Sequence, residues 1–333
     1  MNKQSKKTWV WVPVILAALL GIVLLTYYIV FYSNLGRFLL GPKVDTWKQP
    51  ALIQTLFGSK SACAAQPNQT ILFIGIDYRG GDYLYGLADV IRLARVDFSQ
   101  QTINMVALPR DLLVQIPPGR FKVPGPYKIN QAYFFGTPGM LNYAGEGEGP
   151  AALNEVIDYN FGVSADHYVV FNFNAFTGFV DAIGGVDVNL PEEVYGGSQG
   201  DFPAGEQTLS GERALALARI RENYSDAFRV HNQSLIIKAI FAKLLQPATL
   251  VKLPVLVAQF KDAILTDIPL DQLSTQAFCY RDFPSENLIT HEVPPEFLTL
   301  TNIYLDSLHE YTYGYAWDER LGGWVIEKLM ADG

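Results

Sequence analysis

The sequence contains few cysteines, few histidines and no excess of basic residues. Its four histidines are scattered without the spacing of metal ligands, and neither a Ser-His-Asp arrangement nor a nucleotide-binding glycine loop stands out. Acidic residues outnumber Lys and Arg by 33 to 25, which gives a net charge of −8. Because nucleic-acid binding requires a basic surface, this balance argues against a DNA-binding regulator and predicts no nucleic-acid partner.

The two cysteines, Cys63 and Cys279, leave two alternatives open. A disulfide between them is permissible if this part of the chain lies outside the cell, and it would close a long loop. The other alternative is a pair of buried thiols. Spacing along the chain does not choose between them.

Charged side chains are absent from residues 9–32. A helix of that length extends about 36 Å, so these residues predict one transmembrane helix in a lipid bilayer. Lysines in the preceding tail, residues 1–8, predict a cytoplasmic N-terminus, with the rest of the chain outside the cell membrane. A cleaved signal peptide is the alternative, but the apolar run is too long and no Ala-x-Ala site closes it.

The rest of the chain divides into a stalk and one folded domain. Residues 33–68 are expected to form a stalk or linker with one short helix, and residues 69–333 an extracytoplasmic catalytic domain. The chain is 49% hydrophobic, enough to bury a substantial core. Strands followed by helices and a further strand predict an α/β fold or α+β sandwich, with a central mixed β-sheet flanked by helices.

Three strand-like runs open this domain, at Ile71–Ile76, Val90–Val96 and Thr102–Leu108. They carry apolar residues on both faces, which is typical of strands in a sheet that is covered on both sides. Charged residues cluster at their ends, and these are Asp77, Arg79, Asp89, Arg110 and Asp111. Acids and arginines at adjacent strand ends favour a functional site there.

The order of these residues resembles the LytR-CpsA-Psr family. The pattern Gly-x-Asp-x-Arg begins at Gly75, a second acid follows twelve positions after Asp77, and Pro109-Arg110-Asp111 comes next. The resemblance covers nearly the whole exterior part of the chain. It implies a membrane-anchored phosphotransferase that moves a glycopolymer from a polyprenyl-pyrophosphate carrier to peptidoglycan. It also implies a lipid tunnel between the sheet and the helices.

The resemblance assigns roles to particular residues. Asp77 and Asp89 stand where the family binds Mg²⁺ (or Mn²⁺), a cation that takes one or two carboxylates together with substrate phosphates. Arginines suit a pyrophosphate because the planar guanidinium donates bidentate hydrogen bonds. The implied catalytic residues are Asp77, Asp89, Arg110, Arg221 and Arg229. The implied substrate-binding residues are Arg79, Asp111, Lys128, Asn130, Arg219, Asp226 and Gln233.

A plainer interpretation exists for these residues, because acids are common in solvated loops and arginines pair with nearby acids. Two positions also depart from the family pattern. Leu87 stands where the family has an arginine two residues before the second acid, and Asn232 replaces an arginine that precedes the glutamine. Arg92 and His231 are candidates to replace the lost cations.

These residues are compatible with three functions. In the preferred one, a peptidoglycan hydroxyl attacks the glycan-proximal phosphorus and polyprenyl phosphate leaves; Asp89 and Asp226 are candidates for accepting the proton. In the second, water replaces that hydroxyl and the protein is a lipid-carrier pyrophosphatase. The third is a membrane-tethered glycolipid-binding or regulatory module of the transcriptional-attenuator type. The presence of both Asp77 and Asp89 favours the two enzymatic functions over the binding module.

Overall fold

The computed structural model describes most of the predicted exterior domain. The described residues are 63–78, 86–123, 125–220, 226–250, 252–260, 263–269, 272, 276, 279–305 and 310–331. The predicted tail, transmembrane helix and most of the stalk lie outside this range. Within it, none of the helices is both long enough and apolar enough to cross a bilayer.

The described residues contain twelve strands and a set of helices. The strands are β1 (Gln69–Ile76), β2 (Ala88–Asp97), β3 (Thr102–Ala107), β4 (Leu113–Val114), β5 (Tyr127–Lys128), β6 (His167–Phe171), β7 (Val186–Leu190), β8 (Gly205–Leu209), β9 (Leu265–Thr266), β10 (Leu288–Glu292), β11 (Leu298–Leu305) and β12 (Glu310–Trp317). The helices are α1 (Gln131–Phe135), α2 (Glu148–Phe161), α3 (Phe173–Ala182), α4 (Gly211–Arg219), α5 (Asp226–Leu245), α6 (Pro247–Leu250), α7 (Leu253–Phe260) and α8 (Arg320–Leu329).

Six strands form one sheet in the order β10-β3-β2-β1-β6-β9. Strand β1 pairs antiparallel with β2 and parallel with β6. Strand β3 pairs antiparallel with β2 and parallel with β10. The sheet is therefore mixed and flanked by helices, as predicted, and β1 lies in its interior with a neighbour on each side.

Burial along the strands follows from cover on both faces of this sheet. All six residues of β3 are buried, because one face packs against one core and the opposite face against another. Leu72, Ile74 and Val106 belong to the core that includes α2 and α8. Ile71 and Met105 belong to the core on the other face, to which α5 contributes.

Capping side chains set the start of helices α3 and α4, which cover the second face of the central sheet. The side chain of Ser210 accepts a hydrogen bond from the backbone N–H of Arg213 at the start of α4, as expected from its position as N-cap. Asn172 caps α3 in the same way, with 2.8 Å between its Oδ1 and the nitrogen of Ala175. Helix α7 ends at Phe260, and the chain enters β9 at Leu265.

The two cysteines form a disulfide that joins Cys63 to Cys279, with 5.3 Å between their Cα atoms. Both are buried in the core that α5 contributes to. Of the two alternatives, the structure therefore has the bridge. The sequence predicts that the stalk extends to residue 68. Because Cys63 is part of this core, the folded unit begins before Gln69.

Candidate active site

A cavity of about 320 Å³ lies between the sheet and helices α3, α4 and α5. Gly75, Ile76, Asp89 and Val90 line it from the sheet side. Its charged and polar residues are Asp89, Arg110, Arg219, Arg229 and Gln233, and its apolar residues include Phe171, Phe173, Phe176, Leu215, Ile236 and Ile237. The cavity therefore combines a cluster of guanidinium groups with an apolar wall.

Asp89 occupies an irregular position in strand β2. Gly75 pairs with Val90 but the next residue, Ile76, pairs with Ala88, so Asp89 is the extra residue of a β-bulge. Bulges leave the extra residue out of the ladder and turn its side chain, and they occur often beside active sites. The bulge brings the carboxylate of Asp89 to the cavity, at the end of two neighbouring strands.

Asp77 follows the last residue of β1, beside the start of β2. Its backbone N–H donates to the carbonyl of Leu87 over 3.2 Å, and its Oδ1 accepts from the backbone nitrogen of Leu87 at 2.7 Å. Leu87 is followed by Ala88, the first residue of β2, and then by Asp89. The two predicted metal-binding acids thus lie at the same edge of the β1–β2 pair.

A row of alternating charges runs from the cavity to β5. The guanidinium of Arg110 forms an ion pair with Asp89, and its Nε lies 3.4 Å from Oδ2 of Asp111. The other oxygen of Asp111 lies 3.0 Å from Nζ of Lys128. Asp111 is only 3% exposed, so two cations balance a buried carboxylate. The backbone of Asn130 ties this turn to β2, because it accepts from Ala88 and donates to the carbonyl of Arg110.

The helices supply the remaining polar groups. Arg219 ends α4, with its guanidinium carbon 4.8 Å from the ring centre of Phe173. Arg229 and Gln233 are four residues apart on α5 and therefore share one face of that helix. Gln233 donates from Nε2 to the carbonyl of Ala218 at 3.3 Å, which links α5 to α4 at the cavity.

The side chains that line the cavity carry a positive net charge, whereas the net charge of the whole chain is negative. Three arginines and one aspartate line it, although the protein carries a net charge of −8. Cationic side chains collected in a cleft raise the local concentration of anions. The site is suited to an anionic ligand with an apolar portion.

The predicted site residues divide into three sets. Asp89, Arg110, Arg219, Arg229 and Gln233 line the cavity. Asp77, Asp111, Lys128 and Asn130 lie beside it in the contacts given above. Arg79 and Arg221 fall outside the described residues, as does the side chain of Asp226, whose backbone begins α5. In the part of the chain that the structure describes, no group of three or more His, Cys, Asp or Glu side chains is placed to hold a metal.

Arg92 and His231 do not take the place of the cations missing at positions 87 and 232. Arg92 is fully buried and donates hydrogen bonds to Ser234 and to the carbonyl of Val230. His231 lies 3.7 Å from a carboxylate oxygen of Glu292. Neither residue lines the cavity, and Arg92 holds α5 against strand β2.

Sequence reasoning missed the role of Gly75. A Cβ atom there would lie 3.0 Å from Cβ of Val90 and 3.1 Å from Cε2 of Phe171, so both neighbours would have to move by a few tenths of an ångström to admit it. The absence of a side chain lets these two cavity residues approach the backbone of β1 from both sides. A glycine directly before a buried strand end is a signal for such a close approach.

The comparisons with known proteins agree with this architecture. The sequence model of the LytR_cpsA_psr family matches residues 47–318. The polyisoprenyl-teichoic acid–peptidoglycan teichoic acid transferase TagU of Oceanobacillus iheyensis is 28% identical over 91% of this chain and 91% of its own length. The protein of the same name from Halalkalibacterium halodurans is 30% identical over 72% of this chain and 74% of its own length. The crystal structure of B. subtilis TagV superposes with a TM-score of 0.60 at 25% identity, over 79% of this chain and 97% of that chain. The chain belongs to the LytR-CpsA-Psr family.

Proposed function

We propose that this protein is a phosphotransferase that moves a glycopolymer from a polyprenyl-pyrophosphate carrier to peptidoglycan. The observation that carries the proposal is the cavity, in which three arginines stand beside an apolar wall. A polyprenyl pyrophosphate has the same two parts, a diphosphate and a hydrocarbon chain. The two TagU relatives, whose names describe transfer of teichoic acid to peptidoglycan, support this reaction class.

The arginines would bind the diphosphate. Guanidinium groups donate paired hydrogen bonds to phosphate oxygens and keep their charge when partly buried. Arg110 and Arg219 approach the cavity from the sheet and from α4, and Arg229 approaches from α5. Groups that converge from separate elements neutralise the charge that develops as the bond to the leaving phosphate breaks. Arg221, two residues after Arg219, is proposed to join them.

The acids fit a divalent cation. Asp77 and Asp89 provide hard oxygen ligands at one edge of the sheet, and Mg²⁺ commonly uses two carboxylates plus substrate phosphates rather than a complete protein cage. We therefore assign Asp77 and Asp89 as ligands of Mg²⁺ or Mn²⁺. When bound, the cation would supply a Lewis acid beside the phosphate oxygens. Either Asp89, which pairs with Arg110, or Asp226 would take the proton of the acceptor hydroxyl.

The apolar wall would hold the start of the polyprenyl chain. Phe171, Phe176 and Ile236 contribute to it from β6, α3 and α5. Transfer of each methylene from water to such a surface is worth about 0.8 kcal/mol. A few isoprene units therefore contribute several kcal/mol to the binding free energy. The predicted anchor at residues 9–32 would keep the site at the outer face of the cell membrane, where such a carrier is found.

Transfer by the full chain from a carrier with a radiolabelled glycan tests this proposal. We expect Arg110→Ala and Asp89→Asn to lower the rate of glycan transfer to peptidoglycan by about 100-fold or more, the usual effect of removing one electrostatic group from such a site. Arg120→Ala is the matched control, because this arginine pairs with Glu155 and its side chain is 63% exposed. Undiminished transfer by Arg110→Ala would reject the site. Release of polyprenyl phosphate at the same rate without peptidoglycan would identify a pyrophosphatase instead.

A further inference from the structure

We propose that Asp111 is a positioning residue, which orients the guanidinium of Arg110 toward the cavity and does not itself bind the substrate. The family resemblance places Asp111 among the substrate-binding residues, but its carboxylate is buried and does not line the cavity. A buried carboxylate outside the cavity is not placed to contact a diphosphate, and its charge would repel one. The inference rests on the proposed function, because it specifies how one of the proposed diphosphate-binding arginines is held.

Arg110 lies between two carboxylates that contact different parts of its guanidinium. Its Nη1 pairs with Oδ1 of Asp89 at the cavity, and its Nε lies 3.4 Å from Oδ2 of Asp111. Because a guanidinium is planar and rigid, contacts at Nε and at Nη1 together set the direction of the whole group. Asp111 therefore helps to determine which hydrogen-bond donors of Arg110 point into the cavity.

The backbone around Asp111 is held from two sides. The carbonyl of Asp111 accepts from the backbone nitrogen of Tyr315 in β12 at 2.9 Å. The next residue, Leu112, forms a bridge with Tyr315 and accepts from the backbone nitrogen of Ile129 at 2.8 Å. Gly314 of β12 approaches so closely that a Cβ atom there would stand 3.1 Å from the carbonyl oxygen of Asp111. The buried carboxylate is therefore carried by a well-supported turn, as a positioning residue requires.

Lys128 balances the charge of Asp111. Its Nζ lies 3.0 Å from Oδ1 of Asp111 and 4.7 Å from the ring centre of Tyr313, and it does not line the cavity. A buried carboxylate is costly unless a cation or hydrogen bonds compensate its charge. Asp111 and Lys128 are neutral together, so Asp111 can orient an arginine without adding net negative charge beside a diphosphate.

Replacement of Asp111 by asparagine separates orientation from simple charge. Asp111→Asn removes a negative charge near an anion site, which by charge alone should strengthen the binding of inorganic pyrophosphate. Loss of orientation should weaken it, because Arg110 would no longer present its donors to the phosphate oxygens in a fixed geometry. We expect Asp111→Asn in the full chain to bind pyrophosphate about tenfold more weakly in calorimetric titration, a loss within the range of couplings in one ion-pair network.

A double-mutant cycle tests whether Asp111 acts through Arg110. The double variant Asp111→Asn, Arg110→Ala should bind pyrophosphate as weakly as Arg110→Ala alone. In transfer to soluble peptidoglycan fragments, Asp111→Asn should raise the KM of the carrier and leave the KM of the acceptor unchanged. Glu155→Gln is the matched control and should bind pyrophosphate normally, because Glu155 is a partly buried acid that pairs with Arg120.

Equal or tighter pyrophosphate binding by Asp111→Asn would overturn the inference, as would an additive loss in the double variant or a higher KM of the acceptor. If Asp111→Asn does not fold, the double variant Asp111→Asn, Lys128→Met removes the ion pair at constant net charge. It should show the same tenfold loss, and wild-type affinity would again overturn the inference. Normal pyrophosphate binding by Arg110→Ala would reject the proposed function. Weak binding by Arg110→Ala with wild-type binding by Asp111→Asn would reject only the role of Asp111.

Discussion

Nη1 of Arg92 donates a hydrogen bond to the hydroxyl of Ser234 over 3.0 Å, which fastens strand β2 to helix α5. Nη2 of the same side chain donates to the carbonyl of Val230, one turn earlier, at 3.1 Å. Burial lowers the pKa of Arg92 to about 10, while the charge of Glu292 acts against that shift. Arg92 is therefore still cationic at neutral pH, and α5 is positioned by a buried charge beneath it.

Replacing Arg92 with alanine should lower the free energy of unfolding by about 2–4 kcal/mol, because it leaves a cavity and removes two hydrogen bonds from the charged group. Arg229 and Gln233 lie on the same helix, so affinity for pyrophosphate should fall as well. Denaturant unfolding and calorimetric titration with inorganic pyrophosphate measure the two effects. Arg95→Ala, on the same strand with one hydrogen bond to Thr70, should cost about 1 kcal/mol or less. Equal losses from both variants would contradict this role of Arg92.

Filling the cavity should block the lipid without unfolding the protein. Ala218 lines the cavity on α4, and Ala218→Phe would place a ring where the polyprenyl chain is proposed to lie. We expect transfer from a long-chain carrier to fall by about tenfold or more, since several buried methylenes at about 0.8 kcal/mol each are displaced. Ala216→Phe is the matched control, because Ala216 is partly buried on the same helix but does not line the cavity. Unchanged transfer by Ala218→Phe, measured with carriers of different length, would argue against a lipid in this cavity.

The assignment of Asp77 and Asp89 to a metal predicts a stability effect that does not depend on turnover. Adding Mg²⁺ together with inorganic pyrophosphate to chelator-treated protein should raise the Tm, because a ligand that binds only the folded state stabilises it. The increase should be absent in Asp77→Asn and in Asp89→Asn. Asp187→Asn, which changes an acid that pairs with Lys243, should show the wild-type response. A full response in Asp77→Asn would remove that residue from the site.

His291 predicts a pH dependence of stability. Burial, followed by the charges of Lys328 and Lys238, holds the pKa of its imidazole below the ordinary value of 6.5. The unfolded chain therefore takes up this proton first as the pH falls, so the contribution of His291 is complete above about pH 6.5 and is lost below it. Unfolding measured at pH 7.5 and pH 5.5 should show a smaller acid loss for His291→Gln than for the wild type. An equal loss would show that His291 does not contribute.

Strands β1, β2 and β3 of the central sheet were predictable because they are nearly continuous apolar runs. The run predicted as Val90–Val96 lies inside the observed strand Ala88–Asp97, and the difference includes the bulge at Asp89. A bulge is created by pairing between strands, and a single strand carries no signal for it. Strand β4 ends at Val114, ahead of Pro117 and Pro118, which cannot donate backbone hydrogen bonds to a ladder.

Strands β11 and β12 were not predicted from the sequence. The reason is that large aromatic side chains lie on the exposed face, which inverts the usual rule that apolar residues face the core. Prediction of the charged site from the sequence is limited in a similar way. Residue order and family resemblance identified Asp89, Arg110 and Arg229, whereas the burial of Arg92 depends on which helix packs over β2, and that packing is decided by tertiary contacts.

The disulfide between Cys63 and Cys279 has a consequence for protease digestion. The bond connects positions 216 residues apart, so one backbone cut between them leaves two fragments that are still joined covalently. Nicked protein would therefore migrate as a single species on a gel without reductant and separate into two bands only after reduction. The band sizes would then locate the exposed loop at which the protease cuts.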